Sequence, residues 1–326
     1  MQQTPRRVVI VGYEDAELLD IACPTDAMDA ANRYGARPAY DLCLASLGQR
    51  PVRCVSGLTL AAQASLERLA GPIDTLIVAG GMGHEAAAAN ASLVAHIRRL
   101  ARESRRVASV CSGATVLAAT GLLDGRRATT HWMVADQFAR TYPRVTVDPS
   151  PLYIRDGDVY TSAGVTSALD LTLALIEDDH GPDLARNVAR VLVTYLHRPG
   201  NQAQVSMFIA GPTPEHHLVR ALANHINSNL DGDLGTVALA ARAGVSTRHL
   251  TRLFDAHVGT TPARYVRSSR VEAAAHLLVS TRLPLGAVAR RCGFTTGETL
   301  RQAFLDHYDV APSAYRSLHT RSGTAR

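Results

Sequence analysis

Short apolar runs alternate with stretches of helical spacing through the first two hundred residues. Val8-Val9-Ile10-Val11 predicts a strand and residues 16–33 a helix after it. Further strands are expected at 40–45, at 75–79 (closed by Gly80-Gly81), at 107–110, at Tyr153-Ile154 and at 159–161. Helical spacing recurs at 92–103, 113–119 and 166–178. The strand runs are continuously apolar rather than alternating, as strands buried on both faces require. The pattern predicts an α/β fold: a flavodoxin-like, mainly parallel sheet sandwiched by helices.

The pattern changes after Leu196. Pro199-Gly200-Asn201 and Gly211-Pro212-Thr213-Pro214 punctuate the chain, and the stretch between them lacks a clear period. We therefore expect an α/β domain at 1–198, a linker at 199–214 and an all-α domain at 215–326. The last contains a repeat. Ala240 aligns with Ala289 and Gly244 with Gly293; after a one-residue insertion, Leu250, Phe254, Pro262 and Tyr265 align with Leu300, Phe304, Pro312 and Tyr315. Each copy reads as an apolar helix, a turn with glycine, a Ser or Thr cap and a second helix. That is the pattern of a helix-turn-helix motif, here present twice. A helix over 262–278, with Thr261 as cap and Pro262 in its first turn, lies between the copies.

Charge sharpens the division. The 326 residues carry a net +5, all of the cation being arginine. Residues before 212 hold 20 arginines against 21 acidic groups, whereas the remainder holds 14 against eight. A neutral domain followed by a basic one points to a polyanionic partner for the second half. The five cysteines are odd in number, scattered, and form no C-x-x-C pair. A disulfide framework, a metal site and a cofactor are accordingly not expected. Glu14 and Asp15 interrupt the first apolar stretch, and the uncharged stretch 107–123 is short for a membrane span. The expected setting is the cytoplasm, without membrane contact.

The second half resembles the AraC/XylS family of transcription regulators over about 216–318. The motif residues are Ala240, Gly244-Val245-Ser246, Arg248, Leu250, Arg252, Phe254, Gly259, Pro262, Tyr265 and Arg270, then Ala289, Cys292-Gly293-Phe294, Phe304, Pro312 and Tyr315-Arg316. The resemblance implies two recognition helices in successive major grooves about 34 Å apart. Arg248, His249, Thr251 and Arg252 would serve the first helix, and Thr296, Gly297, Glu298, Arg301 and Gln302 the second. Gln302 departs from the family, which commonly has arginine there. Glu298 would either accept from cytosine N4 or repel phosphate. His249, Arg264, Arg267 and Arg270 are equally candidates for phosphate contacts or for structural roles.

Cys111 follows one strand and precedes a helix, with small neighbours Ser112, Gly113 and Ala114 that let the chain turn sharply. Such a position resembles a nucleophile elbow, and a helix N-terminus is expected to favour the thiolate. Gly80-Gly81 would offer backbone N–H donors as an oxyanion hole does. Residues 6–195 resemble the ThiJ/PfpI class of the glutamine-amidotransferase-like superfamily. Carrying it are Leu19-Asp20-Ile21-Ala22-Cys23-Pro24, Ala79-Gly80-Gly81, Val110-Cys111-Ser112-Gly113-Ala114, Thr130-His131-Trp132 and 161–166. The resemblance implies that Asp20 is the acid beside the cysteine. A histidine directly after the cysteine is missing, since Ser112 stands there, and His131 is the nearby alternative base.

The whole chain thus resembles the GlxA-like transcriptional regulators. The expected function is a regulator without catalytic activity that binds double-stranded promoter DNA, dimeric through its first domain. A small-molecule effector or oxidant would meet a pocket of Asp20, Gly80, Gly81, Cys111, Ser112 and His131. Cys111 could be vestigial, part of a ligand pocket, or a redox or electrophile sensor. The alternative is a cysteine-dependent hydratase or amidase with a DNA-binding tail.

Overall fold

The computed structural model describes residues 4–194 and 216–320, so the 199–214 linker lies outside the described residues. The chain divides into two compact units, 1–204 and 205–326.

The first unit opens with β1 (Arg6–Val11), α1 (Leu18–Arg33) and β2 (Tyr40–Ser46). Three short strands follow, β3 (Val52–Arg53), β4 (Thr59–Leu60) and β5 (Ala64–Ser65), then β6 (Ile73–Val78). Next come α2 (His84–Ala89), α3 (Ala91–Arg102), β7 (Ser104–Val110) and α4 (Gly113–Ala119). The unit ends with β8 (Arg127–Ala128), α5 (Ala135–Thr141), β9 (Thr146–Val147), β10 (Tyr153–Asp156), β11 (Val159–Ser162), α6 (Thr166–His180) and α7 (Pro182–Val191). The main sheet has the order β10-β11-β7-β6-β1-β2-β5. Its pairs are parallel except β10 with β11.

Alternation along β1 explains the two cores. Val8 and Ile10 face Met28 of α1, Leu171 and Ile176 of α6 and Val188 of α7. Val9 and Val11 face Ile97 and Leu100 of α3, Val116 and Leu117 of α4 and Phe138 of α5. Successive side chains of a strand point to opposite faces, so a run of four apolar residues feeds both layers. Each such side chain contributes roughly 1.5–3 kcal/mol by leaving water. The long helices and strands follow the sequence pattern; α7 was not anticipated, because Gly181-Pro182 reads as punctuation while in fact starting a helix with proline at its first turn. Strands of two residues are too short to show a period at all.

The strand order β2-β1-β6-β7-β11 is doubly wound, and it reverses direction at β1 and β6. Crevices in such sheets form outside the carboxyl ends of the strands at that reversal. Gly80-Gly81 and Cys111 stand at the ends of β6 and β7.

The second unit contains α8 (His217–Ser228), α9 (Thr236–Arg242), α10 (Thr247–Val258), α11 (Pro262–Ser280), α12 (Leu285–Arg291), α13 (Gly297–Tyr308) and α14 (Pro312–Thr320). It has two cores. Leu222, Leu239, Leu250 and Phe254 pack with Tyr265 and Val266 of α11. Val288, Leu300, Phe304 and Tyr315 pack with Val271, Ala274 and Leu278 of the same helix. One long helix thereby holds the repeats together, and the repeated aromatic pairs are edge-on in both: Phe254 to Tyr265 at 5.8 Å and Phe304 to Tyr315 at 5.0 Å.

Candidate thiol site and nucleic-acid interface

Cys111 directly follows β7 with φ +56°, a left-handed conformation that costs a residue with a Cβ about 1–3 kcal/mol. The surroundings hold it there. Its N–H donates to the Ser162 carbonyl at 3.0 Å, and its own carbonyl accepts from Thr130 Oγ1 at 3.0 Å. Close packing adds to this: a Cβ on Gly164 would lie 2.1 Å from Cys111 Cβ. Only glycine fits beside the elbow.

Asp20 reaches the thiol from α1 and is fully buried. Its Oδ2 accepts from the Gly80 N–H at 3.1 Å and its Oδ1 from the Val165 N–H at 2.8 Å. Burial outweighs these bonds and pushes the carboxyl up to about 7. Burial, followed by the Asp20 charge, pushes the Cys111 thiol up to about 12. The sequence-based expectation of a favoured thiolate is therefore corrected: desolvation and a neighbouring carboxylate exceed what the seven-residue α4 supplies.

The oxyanion-hole expectation is also corrected. The Gly80 N–H is engaged by Asp20, and the Gly81 N–H donates to Ser112 Oγ at 2.9 Å. Ser112 Oγ donates in turn to the Gly81 carbonyl at 2.9 Å, which clips the β6 loop to the elbow. Asp20, Gly80, Gly81, Cys111 and Ser112 thus come together. His131 is not hydrogen-bonded to Cys111 among the described residues; its Nδ1 accepts from the Met133 N–H at 3.4 Å.

Two participants were missed in the sequence. Tyr13 donates its hydroxyl to the Ala79 carbonyl at 2.8 Å, and burial, then the Asp20 and Cys111 charges, raise its phenol well above the ordinary range. Its place directly after a strand was the one available signal. Val165, at φ +51°, supplies the second amide to Asp20; nothing in a β-branched residue announces that conformation. Between α2 and α5 lies a cleft of about 390 Å³ lined by His84, Glu85, Thr115, Gln137, Phe138 and Tyr142 among others; Asp20, Gly80, Gly81, Cys111, Ser112 and His131 do not line it.

In the second unit each motif is a seven-residue helix followed by one of twelve residues. Ala240 and Ala289 are buried where the helices approach, and Gly244 and Gly293 turn the chain at φ +66° and +74°. Ser246 Oγ caps α10 by accepting from the His249 N–H at 3.2 Å. Thr296 and Thr299 form a reciprocal capping box on α13.

Arg248 and Arg252 are exposed on α10, while His249 and Thr251 are half-buried. Arg252 Nη2 lies 3.1 Å from His249 Nδ1. On α13, Thr296 and Glu298 are exposed, and Gly297 is half-buried. Glu298 takes a two-pronged ion pair from Arg301 at 2.6–3.0 Å, and Gln302 Nε2 donates to Asp306 Oδ1 at 2.8 Å. Of the two alternatives left open for Arg270, the geometry favours the structural one: Nε and Nη2 donate to the Leu230 and Gly232 carbonyls at 2.9 and 2.8 Å. Arg267 pairs with Asp306, and Arg264 is exposed.

Residues 6–178 match the DJ-1/PfpI family, more than half of the chain. The chain belongs to that family. Residues 239–317 match a helix-turn-helix domain. The HTH-type transcriptional regulator GlxA of Rhizobium meliloti is 33% identical over 328 aligned positions, covering 98% of each chain. The HTH-type transcriptional regulator CdhR of Pseudomonas aeruginosa is 31% identical over 293 positions, 90% of this chain and 86% of that one. A ThiJ/PfpI family protein of Pseudomonas syringae shares the fold at 23% identity and a TM-score of 0.56, over 69% of this chain and 88% of its own. This DJ-1/PfpI member has no helix among its described residues long and apolar enough to cross a membrane. Nor do those residues include a group of three or more His, Cys, Asp or Glu able to hold a metal ion.

Proposed function

We propose that the chain is a transcription regulator that binds double-stranded promoter DNA through residues 239–317 and pairs with a second copy through its first unit. The observation that carries the reading is the doubled motif with two capped reading helices, α10 and α13, held by one helix, α11. Two such modules in a dimer gain affinity through effective concentration. Such a regulator works in the cytoplasm, on the nucleoid when bound. The test is selection of binding sites from random duplexes, followed by affinity against salt. A sequence-specific enrichment with a steep negative salt slope supports the reading, and its absence removes it. Sedimentation equilibrium tests the dimer.

The Asp20–Cys111 site, with Gly80, Gly81, Ser112 and His131, serves as a sensing site for a small molecule; of the two expected signals an oxidant is the less favoured, because the thiolate is the form that oxidants attack. Both nearby glycine amides are already engaged, and the thiol is held protonated. The relatives that span both domains are named as transcriptional regulators, whereas one that aligns with 42% of this chain, from Pseudomonas putida at 35% identity, is named isonitrile hydratase. A second reading, cysteine-dependent hydration or amide hydrolysis, is supported by the buried Asp20 carboxyl held beside the thiol by the Gly80 and Val165 amides, with its pKa pushed up toward neutral by burial. Turnover by the purified protein that disappears in Cys111→Ala distinguishes the two.

A further inference from the structure

The two reading helices differ in hydrogen-bond polarity at matching positions. At the repeat offset of 50 residues, Arg248 corresponds to Glu298, Arg252 to Gln302 and Ala256 to Asp306. Arginine is a donor only, and a carboxylate an acceptor only. Gln302 has both, but its surroundings choose one. Its amide nitrogen donates to Asp306 Oδ1 at 2.8 Å, and Asp306 Oδ2 is held by Arg267 Nη2 of α11 at 2.5 Å. A carboxylate has no proton to offer at neutral pH, so the NH2 of Gln302 must face it and the carbonyl Oε1 must face away. Gln302, itself exposed, is thus fixed as an outward acceptor. Glu298 lies one turn earlier on the same helix face, as spacing of four residues requires. Its partner Arg301 neutralises it without reversing its polarity, because the carboxylate still lacks a donor.

We propose that α10 and α13 read opposite chemistry in their two major grooves, and that Asp306 is the positioning residue that sets the second. Arg248 and Arg252 donate to guanine O6 and N7. Glu298 and Gln302 accept from an exocyclic amine, cytosine N4 or adenine N6, and disfavour guanine and thymine, which present a carbonyl oxygen at the corresponding place. The exposed bonds that orient Gln302 are individually weak in water, but they strengthen when the helix enters a groove and water leaves. This inference rests on the DNA-binding reading above and deepens it.

The experiment is binding-site selection with the full chain and three variants. The wild-type protein should enrich guanine in one subsite and cytosine or adenine at two positions in the other, about one helical turn away. Asp306→Ala frees the Gln302 amide to rotate. It should lower the preference for amine-bearing bases at one position by about fivefold or more, leaving the guanine subsite unchanged as an internal control. A merely structural role would weaken both subsites together. Gln302→Arg should convert the same position to guanine, and Glu298→Gln should broaden the other. Replacing the selected adenine by purine, or the selected cytosine by pyrimidin-2-one, removes the exocyclic amine alone and should weaken binding at the second-subsite positions; undiminished binding to those analogues, or unchanged selection in Asp306→Ala and Gln302→Arg, overturns the polarity. A wild-type chain that enriches no sequence overturns the DNA-binding reading instead.

Discussion

The Val165 N–H donates to the Asp20 carboxylate at 2.8 Å, joining two positions 145 residues apart in sequence. Asp20 is thereby clamped between the start of α6 and the Gly80 amide at the end of β6. The thiol of Cys111 is packed against this clamp, and the Asp20 charge adds to burial in raising it.

Stability should depend on pH through Asp20. Its pKa rises from about 3.8 in the unfolded chain to about 7 in the fold, so the folded state binds the extra proton. The stabilisation associated with that proton is complete below pH about 4 and declines as pH rises toward 7. Urea midpoints measured across that window should fall, and Asp20→Asn should flatten the dependence. An unchanged slope in the variant would assign it to other groups.

The Cys111 thiol should be slow to alkylate. A pKa pushed up to about 12, against an ordinary 9, leaves about a thousandth of the usual thiolate fraction at neutral pH. Iodoacetamide labelling followed by peptide mass spectrometry should find Cys111 modified far more slowly than a free thiol. Asp20→Asn removes the charge beside it and should speed labelling. Rapid labelling of the wild-type chain at pH 7 would contradict the buried, protonated thiol.

Gly164→Ala should cost more than about 3 kcal/mol or prevent folding, since the new methyl meets Cys111 at 2.1 Å and the residue sits at φ +86°. Gly232→Ala provides the comparison, with its nearest approach at 3.2 Å and no positive φ. Thermal denaturation of the two variants separates crowding at the elbow from a general loss of glycine.

Three arginines of the second unit should respond differently. Arg252→Ala should cost about 1–3 kcal/mol of binding and relax one base position. Exposed Arg264 should act on phosphate, so Arg264→Ala weakens all sequences alike and lowers the salt slope by about one. Arg270→Ala removes two bonds to backbone carbonyls and should lower thermal stability before it alters specificity. If Arg270→Ala relaxed one base position at unchanged stability, its structural assignment would fail.

Much of this protein is local in origin, and local features were legible. The apolar runs of β1, β6 and β7, the Thr261-Pro262 start of α11 and the repeat from Ala240 to Tyr315 follow from periodicity and capping, which act within a few residues. Cys111 at the end of a strand was legible for the same reason. Its chemistry was not. Whether a thiol is ionised depends on which groups are brought around it and on the water they exclude. Asp20, Tyr13 and Val165 arrive from three separate elements. Likewise, Gln302 and Asp306 are visible as neighbours on one helix, but Arg267 comes from another. The sequence by itself determined the elements and the two-part plan. Tertiary structure alone decided the protonation of Cys111, the engagement of the Gly80 and Gly81 amides, and the outward face of Gln302, because each arises from desolvation and hydrogen bonding between segments far apart along the chain.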